Sequence, residues 1–303
     1  MLALSAPTVN NDTPAPTGMF PILRLTARLP LPLLHALGAL LGLVAHPFSG
    51  RSADLRVNLR QAGLDRLGLR LRVAMHFGMG VLELLPVWLR PFAASIALVR
   101  EVRGLEHLEA ARQSGRGVLA MTPHLGCWEL AGLYVASHMP IVELYRPPRQ
   151  AWADRLMRMG RERGQARLAA PDIKGVRALL AALKRGEAAG ILPDQVASRG
   201  DGVWAPFFGR PAYTPTLAFR LARATGAVPL LLFCERLTWG RGFRLWVEPL
   251  PDFSADDAAA AARLNAALEA LIRRHPEQYL WRYRRYKRPG DAPPPPGEEA
   301  GTE

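Results

Sequence analysis

The sequence predicts an α/β protein: a central mixed, largely parallel sheet flanked by helices, with an N-terminal hydrophobic anchor helix. Three observations carry that expectation. Short runs of Val, Ile, Leu and Ala alternate with longer stretches of helical period, the rhythm of strands joined by crossover helices. Leu29–Gly50 contains no Asp, Glu, Lys or Arg. Of the 303 residues, 49% are hydrophobic, enough for a full-sized core. Collagen-like, disulfide-stapled and wholly disordered classes are thereby excluded. Cys127 and Cys234 fall short of a three-thiolate metal site and of a stapled secreted domain, so a reducing compartment is expected.

Taken in order, residues 1–18 (MLALSAPTVNNDTPAPTG) lack a basic n-region and a helical period and read as a disordered leader, with Met19 an alternative start. The charge-free run, at about 1.5 Å per residue, approaches the roughly 30 Å of a hydrocarbon core. Arg24 and Arg28 precede it, and Arg51, Arg56 and Arg60 follow. Residues 19–50 are therefore expected to form a membrane anchor or an interfacial helix, against the alternative of a buried core helix. Bases on both flanks leave orientation open, and the lack of a cleavage site argues against secretion.

Residues 51–288 carry the α/β pattern. Helices are expected over 70–89, Trp128–Ser137, Trp152–Arg163, Lys174–Lys184, Thr216–Thr225 and Ala258–Arg274. Strands are expected at Gly117–Thr122, Ile141–Tyr145, Ala188–Leu192, Val228–Cys234 and Phe243–Pro249. Residues 289–303, rich in Pro and acids, read as a disordered tail. No internal repeat is visible.

The net charge is +13, and it is unevenly placed. Setting aside Asp12 and the four acids of residues 289–303, the segment 19–288 carries +18. Such a field attracts nucleic acid, an anionic membrane, or an acidic carrier and a phosphorylated substrate. Residues 273–288 interleave seven Lys/Arg with Tyr279, Trp281, Tyr283 and Tyr286, a mixture that suits stacked bases or a lipid headgroup interface. The neighbouring apolar run favours the interface, and no zinc finger, RNA-recognition signature or P-loop accompanies the patch, so no nucleic acid partner is expected.

In α/β sheets, chemistry gathers at the carboxyl ends of strands. The strand GVLAMT runs into Pro123-His124-Leu125-Gly126-Cys127-Trp128-Glu129, placing His124 at a strand-to-helix turn and Glu129 within the first turns of the helix. A carboxylate folding back onto the imidazole would fix its tautomer and leave the other nitrogen to accept a proton. That is the base-and-orienter half of a triad without its serine, so the nucleophile would be the substrate's own hydroxyl. The plain alternative is a turn histidine and a glutamate favouring the helix dipole. Cys127 reads as a packing residue, and nothing nearby completes a zinc site. Backbone N–H groups of Leu125–Trp128 are candidate oxyanion donors, with Gly126 allowing close backbone approach. Arg146 and Arg161 are candidates for phosphate contact, and Asp194 follows a strand pointing to the His124 edge.

TPHLGCWEL resembles the His-x4-Asp/Glu block of the glycerolipid acyltransferase superfamily. LYRPP (Leu144–Pro148), LPDQ…APFFGRPAYTPT (Leu192–Thr216) and HPEQYLWRYRRYKR (His275–Arg288) narrow the resemblance to the lipid A biosynthesis acyltransferases, over roughly residues 19–288. The resemblance implies transfer of a fatty acyl chain from the phosphopantetheine thioester of acyl carrier protein to a hydroxyl of a lipid A precursor. It implies His124 as general base, Glu129 as its orienting acid, and Arg146, Arg161, Asp194 and Gln195 as substrate-binding residues. Where many relatives have Asn in this block, Cys127 stands here. It further implies no metal or nucleotide cofactor, contact with membrane phospholipid, and a place at the cell inner membrane with the catalytic domain on the cytoplasmic side. A lysophospholipid, another glycolipid or an aminolipid as acceptor, and a non-catalytic membrane-surface binding protein, are the alternatives.

Overall fold

A short strand with no polar alternation needs cover on both faces, and Val118–Met121, buried at every residue, accordingly lies inside a sheet with helices on either side. The computed structural model describes residues 19–46, 52–197, 200–250, 253, 256–290 and 292–297. The chain enters through α1 (Met19–Ala27), α2 (Leu31–Ala45), α3 (Ser52–Gln61), α4 (Leu67–Leu89) and α5 (Phe92–Ile96). Alternation then begins with β1 (Val99–Arg103), α6 (Leu105–Gln113), β2 (Val118–Met121), α7 (Trp128–His138), β3 (Ile141–Leu144), α8 (Ala151–Arg161), β4 (Ala166–Ala169), α9 (Ile173–Lys184) and β5 (Ala188–Ile191). A hairpin, β6 (Gly202–Phe207) and β7 (Arg210–Pro215), precedes α10 (Leu217–Thr225), β8 (Val228–Arg236), β9 (Phe243–Pro249) and α11 (Asp257–Arg274).

Seven strands form one sheet in the order β1-β9-β8-β2-β5-β3-β4, with β8–β9 its antiparallel pair. The expected mixed, largely parallel sheet is therefore present, and each expected strand and helix of residues 51–288 is found within a few residues of its place. β2 sits between β8 and β5, and alternate residues feed two cores: Leu119 and Met121 pack with α9, α10 and α11, while Val118 and Ala120 pack with α6 and α7. Asp172 caps α9 by accepting from the Gly175 N–H at 2.9 Å, and Asp256 caps α11 from the N–H groups of Ala258 and Ala259. The β6–β7 hairpin, which the sequence pattern did not reveal, turns on Phe208 and Gly209, both at positive φ, the conformation of a two-residue type I′ turn. Its Phe208 ring is buried against Trp281, so Phe207 and Phe208 of PFFG pack in the core while Pro206 and Gly209 are exposed.

Where a single N-terminal anchor helix is expected, the described residues form two helices. α1 and α2 meet at 116°, where Pro30 and Pro32 start α2 and deny it the backbone donors needed to continue α1. Among the described residues, α4 is the single helix long and apolar enough to cross a membrane, and the bent α1–α2 pair passes the same test only as a unit. α2 crosses α4 at backbone contact: a methyl group on Gly78 would lie 1.9 Å from the Gly38 carbonyl oxygen, so neither glycine tolerates a side chain. Outward from this crossing, Leu33, Leu37, Leu40, Leu41 and Val44 of α2 and Leu67, Leu71, Phe77 and Val81 of α4 are exposed.

Inward, the same helices are tied to β8 by a buried ion cluster. Arg236 donates to Glu83 of α4 through Nε at 2.6 Å and Nη2 at 2.5 Å, and Nε2 of His35 on α2 lies 3.1 Å from Glu83 Oε2. The leader expected at 1–18 lies outside the described residues, as do residues 298–303 of the expected tail. Of the rest of that tail, Ala292 is buried and Pro293 accepts a hydrogen bond from Trp204 Nε1 at 2.9 Å.

Removing one partner from a buried pair strands the other charge. Glu83→Leu is therefore expected to cost about 3–5 kcal/mol in urea unfolding, and Glu83→Leu/Arg236→Met to recover most of that loss. Equal destabilisation by the single and double variants would contradict the pairing.

Candidate active site

Two strands paired in register end side by side. Met121 of β2 is opposite Ile191 of β5, and the Thr122 N–H continues the ladder to the Ile191 carbonyl at 3.1 Å. His124 and Asp194 each stand three residues beyond those last partners, so the register brings together side chains 70 positions apart in the chain. One Asp194 oxygen lies 2.8 Å from His124 Nδ1 and the other accepts from the His124 backbone N–H at 2.9 Å. Burial pushes the Asp194 carboxyl up, but the charge and the two hydrogen bonds of His124, with the charge of Arg285, outweigh it and hold the group below its ordinary value. A carboxylate can only accept, so the proton between them sits on Nδ1 and the Nε2 lone pair is left free. Gln195 donates to that nitrogen from its amide at 3.1 Å.

Glu129 is elsewhere. The expectation that it folds back onto the imidazole is corrected here: its carboxylate is gripped by the fork of Arg161, through Nε at 2.8 Å and through Nη2, and also accepts from Trp88 Nε1 at 3.1 Å and Trp128 Nε1 at 3.2 Å. With an arginine and two indoles directed at it, the carboxylate has a stronger set of donors than one imidazole N–H supplies. Arg161 accordingly spends its charge inside the protein, with its guanidinium over the Tyr145 ring, and is not a free phosphate ligand. Asp194, expected as a substrate contact, is the partner of the histidine. Arg146, just past β3 at the same sheet edge, is exposed and makes no ion pair among the described residues.

The turn carrying His124 is clamped from behind. The Leu280 N–H donates to the His124 carbonyl at 3.0 Å, the Gly126 N–H to the Gln278 carbonyl at 3.2 Å, and the Cys127 N–H to the Cys234 carbonyl at 2.8 Å. Gly126 has φ +63°, and a methyl group there would lie 2.2 Å from the Cys234 oxygen, so the close approach is one that glycine alone permits. The Leu125 N–H bonds to the Pro123 carbonyl. Three of the four N–H groups offered as oxyanion donors are thus occupied, leaving Trp128 at the first position of α7. Its indole tilts over the His124 ring with centroids 5.1 Å apart. Both cysteines are buried, and burial raises their thiols well above the ordinary value, so neither is a nucleophile.

Beside Trp128 and Thr122 opens a small cavity of about 50 Å³. Ala120, Ala131, Val135, Ile141, Ile191 and Leu232 give it a largely apolar wall, into which Glu129, Glu143 and Arg161 intrude. Residues the sequence reasoning missed are Trp88, which reaches the site from α4, and Glu143; Gln278 and Leu280, the clamp, fall in the block that carried the family resemblance. Among the described residues no group of three or more His, Cys, Asp and Glu could hold a metal ion.

Comparison with known proteins identifies the family of the chain. The family described as bacterial lipid A biosynthesis acyltransferase matches residues 19–288. A lipid A biosynthesis lauroyltransferase of Escherichia coli K12 is 32% identical over 283 residues, covering 90% of this chain and 91% of its own. A lipid A biosynthesis palmitoleoyltransferase of the same organism is 31% identical over 275 residues, covering 88% and 89%. A phosphatidylinositol mannoside acyltransferase of Mycobacterium tuberculosis is 29% identical over 177 residues, covering 56% and 54%. The protein belongs to the bacterial lipid A biosynthesis acyltransferase family.

Proposed function

We propose that the protein moves a fatty acyl group from the phosphopantetheine thioester of acyl carrier protein to a hydroxyl of a lipid A precursor, with His124 as general base. The observation that carries this reading is the Asp194 carboxylate at 2.8 Å from His124 Nδ1, which commits Nε2 to accepting a proton. The acceptor hydroxyl displaces the Gln195 amide from Nε2 and gives up its proton there as its oxygen attacks the thioester carbonyl. Asp194 stabilises the imidazolium so formed. The Trp128 N–H, at the positive end of α7, is the donor for the developing oxyanion. Collapse of the tetrahedral intermediate breaks the carbon–sulfur bond, and the imidazolium returns its proton to the thiolate. The acyl chain lies in the cavity beside Trp128.

Charge and exposure support the partners. The +18 of residues 19–288 suits an acidic carrier protein and a phosphorylated acceptor, and Arg146 is the exposed arginine at the edge that holds His124. The exposed apolar faces of α2 and α4 enter one leaflet of the cell inner membrane from the cytoplasmic side, bringing the site to a lipid acceptor. The similarity to a phosphatidylinositol mannoside acyltransferase favours another glycolipid as the second reading of the acceptor.

His124→Ala and Asp194→Asn are expected to lower kcat about 10²–10⁴-fold with KM little changed, measured on acyl carrier protein thioesters and lipid A precursor. Full turnover by His124→Ala would end the general-base reading, and turnover on a phosphoglycolipid in preference to lipid A precursor would pass the acceptor to the second reading. Glu129→Gln, which weakens the Arg161 clamp, is expected to lower unfolding stability by about 1–3 kcal/mol, an effect absent if the clamp is incidental. Leu40→Glu/Leu41→Glu should weaken binding to anionic phospholipid vesicles at least tenfold or so, since burial of each leucine is worth about 1.5–3 kcal/mol. Unchanged vesicle binding would remove α2 from the membrane face.

A further inference from the structure

Glu143, the third residue of β3, lines the cavity beside Trp128 and has no part in the chemistry above. Its carboxyl is housed by two glycines: a methyl group on Gly132 of α7 would lie 2.2 Å from Oε1, and one on Gly190 of β5 would lie 2.9 Å from Cγ. An alanine at either position would push the carboxyl out of its place. Among the described residues Glu143 makes no hydrogen bond and no ion pair. Arg161, the cation on the same wall, is committed to Glu129. Burial, with the nearby charge of Glu129, raises the Glu143 carboxyl to about 7 despite the opposing pull of Arg161, so near neutral pH it offers both a donor and an acceptor.

A carboxyl without a partner is out of keeping with a channel for plain hydrocarbon. Methylene groups packed against it would shut out water and leave it unpaired, the penalty by which sites reject substrates that lack a matching polar group. A hydroxyl answers both protonation states, accepting from the neutral acid and donating to the carboxylate. A keto group would serve the acid alone, and an ammonium group would have to be desolvated among Ala131, Val135, Ile141 and Leu232.

We propose that Glu143 is a specificity-determining residue that selects an acyl donor whose chain carries a hydroxyl group, the two pairing inside the cavity. The inference rests on the reading of this cavity as the acyl site. Wild type, Glu143→Val and Glu143→Gln are given equimolar dodecanoyl, α-hydroxydodecanoyl and β-hydroxydodecanoyl thioesters of acyl carrier protein in one mixture, and the products are counted by mass spectrometry. Wild type is expected to favour one hydroxylated chain about tenfold or more, Glu143→Val to favour the plain chain, and Glu143→Gln to keep the wild-type order. Equal or better use of the plain chain by wild type overturns the proposal, and that ratio decides the matter even where Glu143→Val fails to fold.

Failure of the transferase reading would show separately, as no turnover of any thioester. The cavity is then assayed directly, by displacement of a fluorescent fatty acid from wild type and Glu143→Val with dodecanoic acid and its α- and β-hydroxy forms. Tighter binding of a hydroxylated acid that is lost in Glu143→Val sustains the inference, and equal binding of all three overturns it.

Discussion

The site depends on one buried carboxylate. Asp194 is 2% exposed in its side chain against 17% for His124, and both of its oxygens are directed at the same residue, one at the ring and one at the backbone. Two bonds to one residue fix position as well as protonation: the backbone bond holds the turn and the ring bond sets which nitrogen is free. Burial alone would favour the neutral acid, and the histidine's donors reverse that preference. The pair is thus mutually supporting, since the imidazole keeps the carboxylate charged and the carboxylate keeps the imidazole in the tautomer that accepts at Nε2.

Around this pair the fold works as a clamp. The in-register ends of β2 and β5 set the spacing from below, and Gln278 and Leu280 hold the His124–Gly126 backbone from the C-terminal block. A second carboxylate, Glu129, pairs with Arg161, Trp88 and Trp128 and so joins α7, α8 and α4 beside the cavity. Trp88 belongs to α4, whose outer face is exposed and apolar, so the helix facing the proposed membrane surface also touches the wall of the cavity beside Trp128. A lipid acceptor arriving from the bilayer would meet the site without leaving the protein surface, which suits an enzyme whose acceptor is insoluble in water.

Much of the fold was legible in the sequence because it rests on local period. β2, β5 and β8 are short apolar runs, β9 alternates buried apolar with more exposed residues, α7 is apolar nearly all round, and α9 and α11 have an apolar face and clear ends, so all were placed to within a few residues. The hairpin β6–β7 was missed because Pro206 and Pro211 break the strand pattern, and Phe208 occupies a turn position that ordinarily signals itself with Asn or Gly. His124 was found from its place at a strand end. Its partner was mistaken for a reason of the same kind: Glu129 is five residues away along the chain, whereas Asp194 is brought close by strand register, a long-range property that spacing does not encode. Asp194 was singled out by its position at a neighbouring strand end, but the donors that draw Glu129 away, Arg161 and Trp88, come from separate helices. The cavity and Glu143 were invisible for a simpler reason, because a void is defined by what several elements leave unfilled.

The tautomer of His124 tests the central claim most directly. Nitrogen-15 NMR of protein labelled at histidine, with His124→Ala used for assignment, reports which ring nitrogen carries the proton. The neutral ring is expected to be protonated at Nδ1, with a strongly downfield proton that is lost in Asp194→Asn and kept in Glu129→Gln. A ring protonated at Nε2, or one that responds to Glu129→Gln and not to Asp194→Asn, would contradict the account.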